Sequence, residues 1–323
     1  MSGRREIGGY LELERFLGPM LHEGDIALNC GRACLEYLVE LRGIRTMWLP
    51  DFLCSSVLDL CTKIGVGVKK YRIGEGFRPA YDHEVAEDEW LYLVDYYGQL
   101  AQADVEAALE VSDGRLIVDE SQGYYRGPWE GCDTLYTCRK WFGVADGAFL
   151  HTHDGTSLDR ELSRSESFDR MGFVLGRFER PAEAFFAESK ENNARFADEP
   201  MAYMSTLTEN LLHAVDYENS KRKRLANWSV LHEKLDSSNL LTLVVPEVPF
   251  MYPYMVEDAE GMRGRMAVEG VFVPTLWPNV PGDPDVGLIA TDFANNILPL
   301  PVDQRYGVDD MEKVLEVLSQ CLR

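Results

Sequence analysis

No stretch of about 18 uncharged apolar residues occurs in the chain, so no membrane span is expected. The first residues, MSGRREIGGYLELERF, lack the apolar core of a secretion signal, and the expectation is a protein that stays in the cytoplasm. Positive charge is in deficit, with 32 Lys and Arg against 54 Asp and Glu, a formal net charge of −22. That argues against nucleic-acid binding, which needs a basic face, and solubility accounts for the acidic excess. Paired cysteines are missing too. The seven cysteines, at 30, 34, 54, 61, 132, 138 and 321, are odd in number and contain no C-x-x-C, which reads as reduced and mostly buried thiols. Among six histidines only His151 and His153 are spaced as a possible ligand pair, with no third ligand near them in sequence, so no metal is expected. Neither G-x-G-x-x-G after the first strand nor G-x-x-x-x-G-K-[ST] is present, which ranks a dinucleotide-binding oxidoreductase last.

What is present is an ordinary globular composition, 46% apolar and 27% charged over 323 residues, enough for one large domain and a smaller one. Short apolar runs alternate with helical patterns from Asp25 to about Thr152. Ile26–Asn29 reads as a strand, and Cys34, Leu38 and Leu41 mark a helix that ends at Gly43. Thr46–Leu49 is the next strand, closed by Pro50, with a helix running through Cys61. Strands at Trp90–Val94 and Arg115–Val118 flank a helix around Val105–Leu109, and Leu135–Thr137 and Ala148–Leu150 add two more. This succession implies a mostly parallel sheet with helices on both faces, which binds ligands at the carboxyl ends of its strands. Residues 154–200 read as a charged, mobile or helical connector and 201–224 as a long helix. A small α+β region follows, with strand-like runs at Leu240–Val245 and Val271–Val273 and a final helix from Val308 to Leu322. The expected division is a large domain over residues 1–200 and a small one over 201–323.

Three residues fall where such a topology puts chemistry. Asp119 directly follows the apolar strand Leu116–Val118, and Lys140 lies just past Leu135–Thr137. Gly31 opens the first helix, where free backbone N–H groups make an anion site. A lysine for a Schiff base, a carboxylate for a pyridine nitrogen and a helix N-terminus for a phosphate are the parts that pyridoxal phosphate (PLP) requires. Taken singly, each has an ordinary alternative: a turn cap, a surface lysine and a glycine that permits a tight turn.

The wording around these residues resembles the DegT-type sugar aminotransferases, a branch of the fold-type-I PLP enzymes, in fixed order from about Gly8 to the C-terminus. Asn29-Cys-Gly-Arg-Ala-Cys-Leu35 is similar to the family's Ser-Gly-Thr-x-Ala-Leu turn, and Leu49-Pro-Asp-Phe-Leu-Cys-Ser-Ser56 to its Pro-x-x-x-x-x-x-Thr segment. Tyr97-Gly-Gln-Leu-Ala-Gln-Ala-Asp104 resembles Tyr-Gly-Gln-Pro-Ala-Asp. Val118-Asp-Glu-Ser-Gln122 resembles Glu-Asp-Ala-Ala-Gln, the most specific match. The segment Thr137-Cys-Arg-Lys-Trp-Phe-Gly-Val-Ala-Asp-Gly-Ala148 resembles the lysine segment, and Arg222–Trp228 and Leu298-Pro-Leu-Pro301 fit positions in the small domain.

The resemblance implies an aspartate-aminotransferase-like α/β fold with a small C-terminal α+β domain. It implies Lys140 as the Schiff-base lysine, Asp119 on the pyridine nitrogen and Gln122 at the ring-oxygen face. Gly31, Arg32 and Ala33 form the phosphate turn, joined by Thr137, three residues before the lysine. The family's hydroxyl after the turn glycine is here Arg32, and the serine five residues before the lysine falls on Leu135. The ring-stacking position goes to Phe52, or to Cys54 in its place. A lysine at 140 argues against the family's dehydratase branch, which carries histidine there. The implied activity is transamination from an amino acid to a nucleotide-linked keto sugar, in a homodimer. Arg32, Arg139, Arg263, Arg265 and Arg305 are candidates for a donor carboxylate or a sugar diphosphate. The competing expectation is a protein of this fold that binds PLP without turnover, as a sensor or scaffold.

Overall fold

A computed structural model describes residues 7–81 and 84–321. In chain order the first sheet and its helices are β1 (Ile26–Leu28), α1 (Gly31–Arg42), β2 (Thr46–Pro50), α2 (Ser55–Ile64), β3 (Gly67–Ile73), β4 (Pro79–Ala80), β5 (Glu89–Val94), α3 (Gln102–Ser112), β6 (Leu116–Asp119), β7 (Asp133–Thr137) and β8 (Ala148–His151). The eight strands lie in the order β1-β8-β7-β6-β5-β2-β3-β4. Pairing is parallel from β7 through β6, β5 and β2 to β3, and antiparallel at both edges. This is the expected α/β sheet. The central strand β6 is buried along its whole length because helices cover both faces, which is why its sequence, Leu-Ile-Val-Asp, is an apolar run that does not alternate.

Local signals explain most boundaries. Helix α1 stops where Gly43 turns left-handed at φ 65° and its N–H returns to the Val39 carbonyl. Gly65 closes α2 in the same way, at φ 75°.

After β8 come α4 (Gly172–Glu179), α5 (Phe186–Arg195), α6 (Thr206–Leu212), α7 (Tyr217–Leu235), β9 (Met251–Met255), α8 (Ala259–Val268), α9 (Leu288–Asn296), β10 (Ile297–Pro301) and α10 (Val308–Cys321). Strands β9 and β10 form a two-stranded antiparallel ribbon. Helices α7, α8 and α10 close a second core around Trp228, Leu231, Tyr252, Met266, Leu298 and Leu318.

Two expectations change. The long helix placed at 201–224 is two helices, and the second starts afresh at Tyr217, where the Asp216 side chain accepts the Asn219 N–H and caps it. The runs Leu240–Val245 and Val271–Val273 form no strand; the ribbon is built from β9 and β10 instead. The connector at 154–200, for which a mobile or a helical segment was expected, is helical from about 168 to 195. The expected final residue of the last helix, Leu322, lies outside the described residues, as do residues 1–6 of the N-terminal segment.

Candidate active site

Strand β6 delivers Asp119 to the carboxyl edge of the sheet, between Val94 of β5 and Leu135 of β7. Its carboxylate is held at both oxygens. The Tyr92 hydroxyl donates to Oδ2 at 2.7 Å and the Ser121 N–H to Oδ1 at 2.8 Å. Burial and the neighbouring Asp119 charge push the Tyr92 phenol far above its ordinary range, so it stays a donor. Each carboxylate oxygen keeps a further lone pair, and one more donor can be received.

Lys140 sits on the turn that follows β7. Its Nζ donates to the Ser121 Oγ at 2.7 Å, so one residue touches both the lysine and the aspartate. The side chain is open to solvent on one side, yet protein surrounds it on the others. Burial lowers the ammonium pKa, against the opposing pull of Asp119 and Cys54 and with the help of Arg139. A lysine in this setting gives up its proton more readily than one in water.

The turn itself is fixed from behind. The Trp141 indole N–H donates to the Ser121 carbonyl at 3.1 Å, and the Trp141 carbonyl accepts from Gln304 at 2.8 Å. The buried guanidinium of Arg224 lies 4.4 Å from the centre of the Trp141 ring. Gln122 accepts the Tyr97 N–H at 2.7 Å through Oε1, which leaves its amide NH2 as the free donor end.

At the other end of the site, α1 begins without a side-chain cap. Its first intrahelical bond runs from the Cys34 N–H to the Cys30 carbonyl, so the N–H groups of Gly31, Arg32 and Ala33 have no partner within the helix. A Cβ on Gly31 would stand 2.7 Å from the Thr137 methyl, so glycine is what lets β7 and α1 approach. The Thr137 hydroxyl at this junction is buried and has no hydrogen-bond partner. Arg32 reaches the Asn193 carbonyl at 3.3 Å, and Arg139 donates to the Asn193 side chain.

Phe52 is corrected by the structure. It is wholly buried between Tyr96, Trp277 and Phe293, with its ring centre 4.3 Å from that of Trp277, so no face is left for a cofactor ring. Cys54, the alternative, is exposed and close enough to Lys140 to be felt by it. Of the five candidate arginines, only Arg32 and Arg139 lie here. Arg263 donates to the carbonyls of Asn295 and Ile297 and keeps a buried Nε without a partner, Arg265 is bonded to the Cys321 carbonyl, and Arg305 to Asp303. His151 and His153 pair with Asp25 and Asp133. Leu135 packs in the core. Sequence reasoning missed Ser121, although it lies inside the Asp119–Gln122 motif. It also missed Tyr92, for which only a position two residues before the end of β5 could have served as a signal.

No family model matches the chain, and no curated protein does. Solved structures do. A DegT DnrJ EryC1 StrS aminotransferase from Brucella abortus superposes with a TM-score of 0.63 at 15% identity, covering 95% of this chain and 91% of that one. DesV from S. venezuelae, solved in complex with a ketimine intermediate, gives 0.65 at 14% identity over 96% and 91%. The sugar aminotransferase CalS13 from Micromonospora echinospora gives 0.64 at 13% identity over 91% and 86%. The chain has the fold of these aminotransferases. At such low identity the likeness establishes architecture, and the chemistry must be argued from the residues.

Those residues fit PLP. Thr137 offers a buried hydroxyl without a partner close to the first turn of α1, whose first three N–H groups have no partner within the helix, in a cradle that a Gly31 side chain would fill. A pinned carboxylate and a lysine of lowered pKa stand at the other end. Phosphate, ring nitrogen and aldehyde each have a matching group.

Proposed function

We propose that the protein is a PLP-dependent aminotransferase that moves an amino group from an amino-acid donor to a keto sugar, the sugar being carried on a nucleotide. The observation that carries this reading is the contact of Lys140 with Ser121, whose N–H holds Asp119, in an aminotransferase fold. When bound, PLP supplies an electron sink for a carbon that loses its proton.

The chain's own groups do the rest. Asp119, fixed by Tyr92 and Ser121, accepts a hydrogen bond from the ring nitrogen and keeps it protonated. Lys140, once free and neutral, would take the proton from the donor's α-carbon and deliver it to the cofactor within the same half of the reaction, and in the other half would carry a proton back from the cofactor to the acceptor carbon. The Ser121 hydroxyl holds that amine in place between the two transfers. Gln122 turns its NH2 towards the ring oxygen, because Tyr97 occupies its carbonyl. The N–H groups of Gly31, Arg32 and Ala33 and the Thr137 hydroxyl bind the phosphate. Cys54, in place of Phe52, lies against the ring.

Three broader assignments belong to the same reading. A second copy covers the exposed apolar side chains of the connector, Phe168, Leu175, Phe178 and Phe186, to make a homodimer. Seven free thiols suit a reducing cytoplasm, and no described helix is long and apolar enough to cross a membrane. The division at residue 200 is carried forward with it, supported by a second core drawn wholly from later residues.

Excess glutamate, added to the yellow holoprotein, should shift its absorbance from the aldehyde form of the cofactor to the amine form. An unchanged spectrum across a panel of amino donors would contradict transamination and leave a protein that binds PLP without turnover.

A further inference from the structure

Arg224, on α7, is a cation placed in the core, 1% exposed. The carboxylate whose charge acts on it, Asp303, is bonded at both oxygens by Arg305, at 2.7 and 2.9 Å. Burial lowers the Arg224 pKa to about 10, so the guanidinium stays charged at neutral pH. Its donors go to neutral oxygens: Nε to the Gln304 side chain at 2.7 Å, and Nη1 to the carbonyls of Pro249 and Phe250 at 3.0 and 3.2 Å. Keeping a charge in such a place costs free energy, which these bonds and the ring it faces must offset.

That ring is Trp141, the residue after Lys140. The guanidinium carbon lies 4.4 Å from the centre of the indole. Gln304, while accepting from Arg224, donates through its amide to the Trp141 carbonyl at 2.8 Å. Arg224 and its own partner therefore grip one residue twice, on the ring and on the backbone. The third hold is the indole N–H on the Ser121 carbonyl at 3.1 Å, and Ser121 is the residue that receives the Lys140 amine and fixes Asp119. A second route passes through Phe250, whose carbonyl Arg224 holds. Its ring centre lies 5.6 Å from that of Trp141 and 5.9 Å from the Lys140 Nζ.

We propose that Arg224 is a positioning residue for Lys140, acting through Trp141 and Gln304 to hold the lysine's backbone where its amine meets the cofactor aldehyde. This rests on the cofactor reading above and adds to it a residue from the C-terminal part of the chain. Lysine is a long, flexible side chain, and a backbone already fixed spares part of the ordering cost when the covalent link forms. The gain is confined to the aldehyde form of the cofactor, because the amine form makes no bond to Lys140.

The test is an affinity comparison on the full-length apoprotein, titrated with PLP and with pyridoxamine phosphate, which cannot bond to the lysine. Arg224→Met should weaken PLP by about tenfold and pyridoxamine phosphate by no more than about twofold, a tenfold ratio being what one or two lost hydrogen bonds carry. That variant also leaves buried carbonyls without a donor, so Gln304→Glu separates positioning from folding. It gives Arg224 a charged acceptor, yet once ionised it cannot donate to the Trp141 carbonyl. Its melting temperature should match or exceed that of the wild type, while PLP alone weakens by about threefold or more. A role in stability only would move the melting temperature and leave the two cofactor forms in their wild-type ratio. That ratio unchanged in Gln304→Glu, or equal losses for both forms in a folded Arg224→Met, would overturn the assignment. Borohydride labelling of Lys140 in the wild type reads the cofactor assignment separately. A labelled Lys140 with an unchanged ratio sinks Arg224 alone, and an unlabelled one removes the cofactor reading and Arg224 with it.

Discussion

Behind Asp119 lies a second acidic residue whose chemistry is opposite. Glu120 is fully buried, takes the Trp129 indole N–H on Oε1 and turns Oε2 towards Asp95. A Cβ on Gly123 would fall 1.8 Å from that oxygen and 2.9 Å from the Asp95 Oδ2, so both carboxyls crowd one small space. Burial and the Asp95 charge raise the Glu120 pKa well above its ordinary 4.5, and the pair retains one proton, on Glu120. An unfolded chain would lose that proton above about pH 4.5, so the stability it lends is complete below that pH and is lost as the pH rises towards the folded value. Glu120→Gln keeps the shape, donates permanently to Asp95 and cannot ionise. Its melting temperature should therefore fall less than that of the wild type between about pH 5 and pH 9; parallel curves would show that no proton is held there. The candidate residues Lys140, Asp119, Gln122 and the α1 turn could be picked out by motif because each follows a strand. Ser121 and Tyr92 were not, since a hydroxyl's partner depends on which strands are neighbours. Phe52 was misplaced because an aromatic after a strand serves the core as readily as a ligand.

At the scale of elements, the parallel strands were readable because burial on both faces writes them as apolar runs. Strand β3, Gly-Val-Lys-Lys-Tyr-Arg-Ile, escaped notice because it lies next to the sheet edge and exposes most of its side chains. Conversely, the β-branched run ending at Val245 is no strand. Gln99 takes both backbone groups of Val244, by bonds of 2.8 and 2.9 Å, and so replaces a neighbouring strand there. The junction of α1 with β7 is the element contact on which the phosphate site depends. Gly31→Ala would drive a methyl to 2.7 Å from the Thr137 methyl and rotate or displace the hydroxyl beside the helix. The expected cost is about 1–3 kcal/mol in a denaturant melt, with faster loss of cofactor on dialysis. A variant with unchanged stability and cofactor retention would show that the junction is not tight.

Over the whole molecule, the acidic sheet-and-ribbon architecture leaves the segment around α4 without a core of its own. Helix α4 has no buried residue, and Phe178 is 95% exposed. If a second copy covers this segment, Phe178→Asp should move the protein from dimer to monomer in light scattering, or weaken the dimer by tenfold or more. Monomers at micromolar concentration in the wild type would contradict that expectation. The two ends of the proposed cofactor site come from different places in the chain, β6 with the turn after β7 at one end and α1 at the other, and only the folded sheet unites them.

The central claim is a covalent one, that Lys140 carries the cofactor. Reduction of the yellow protein with borohydride, followed by digestion and mass mapping, should place a pyridoxyl group on Lys140 alone, and Lys140→Ala should fold normally, bind no colour that survives reduction and yield no labelled peptide. A pyridoxyl mass on any other lysine, or none in a protein saturated with PLP, would contradict the account.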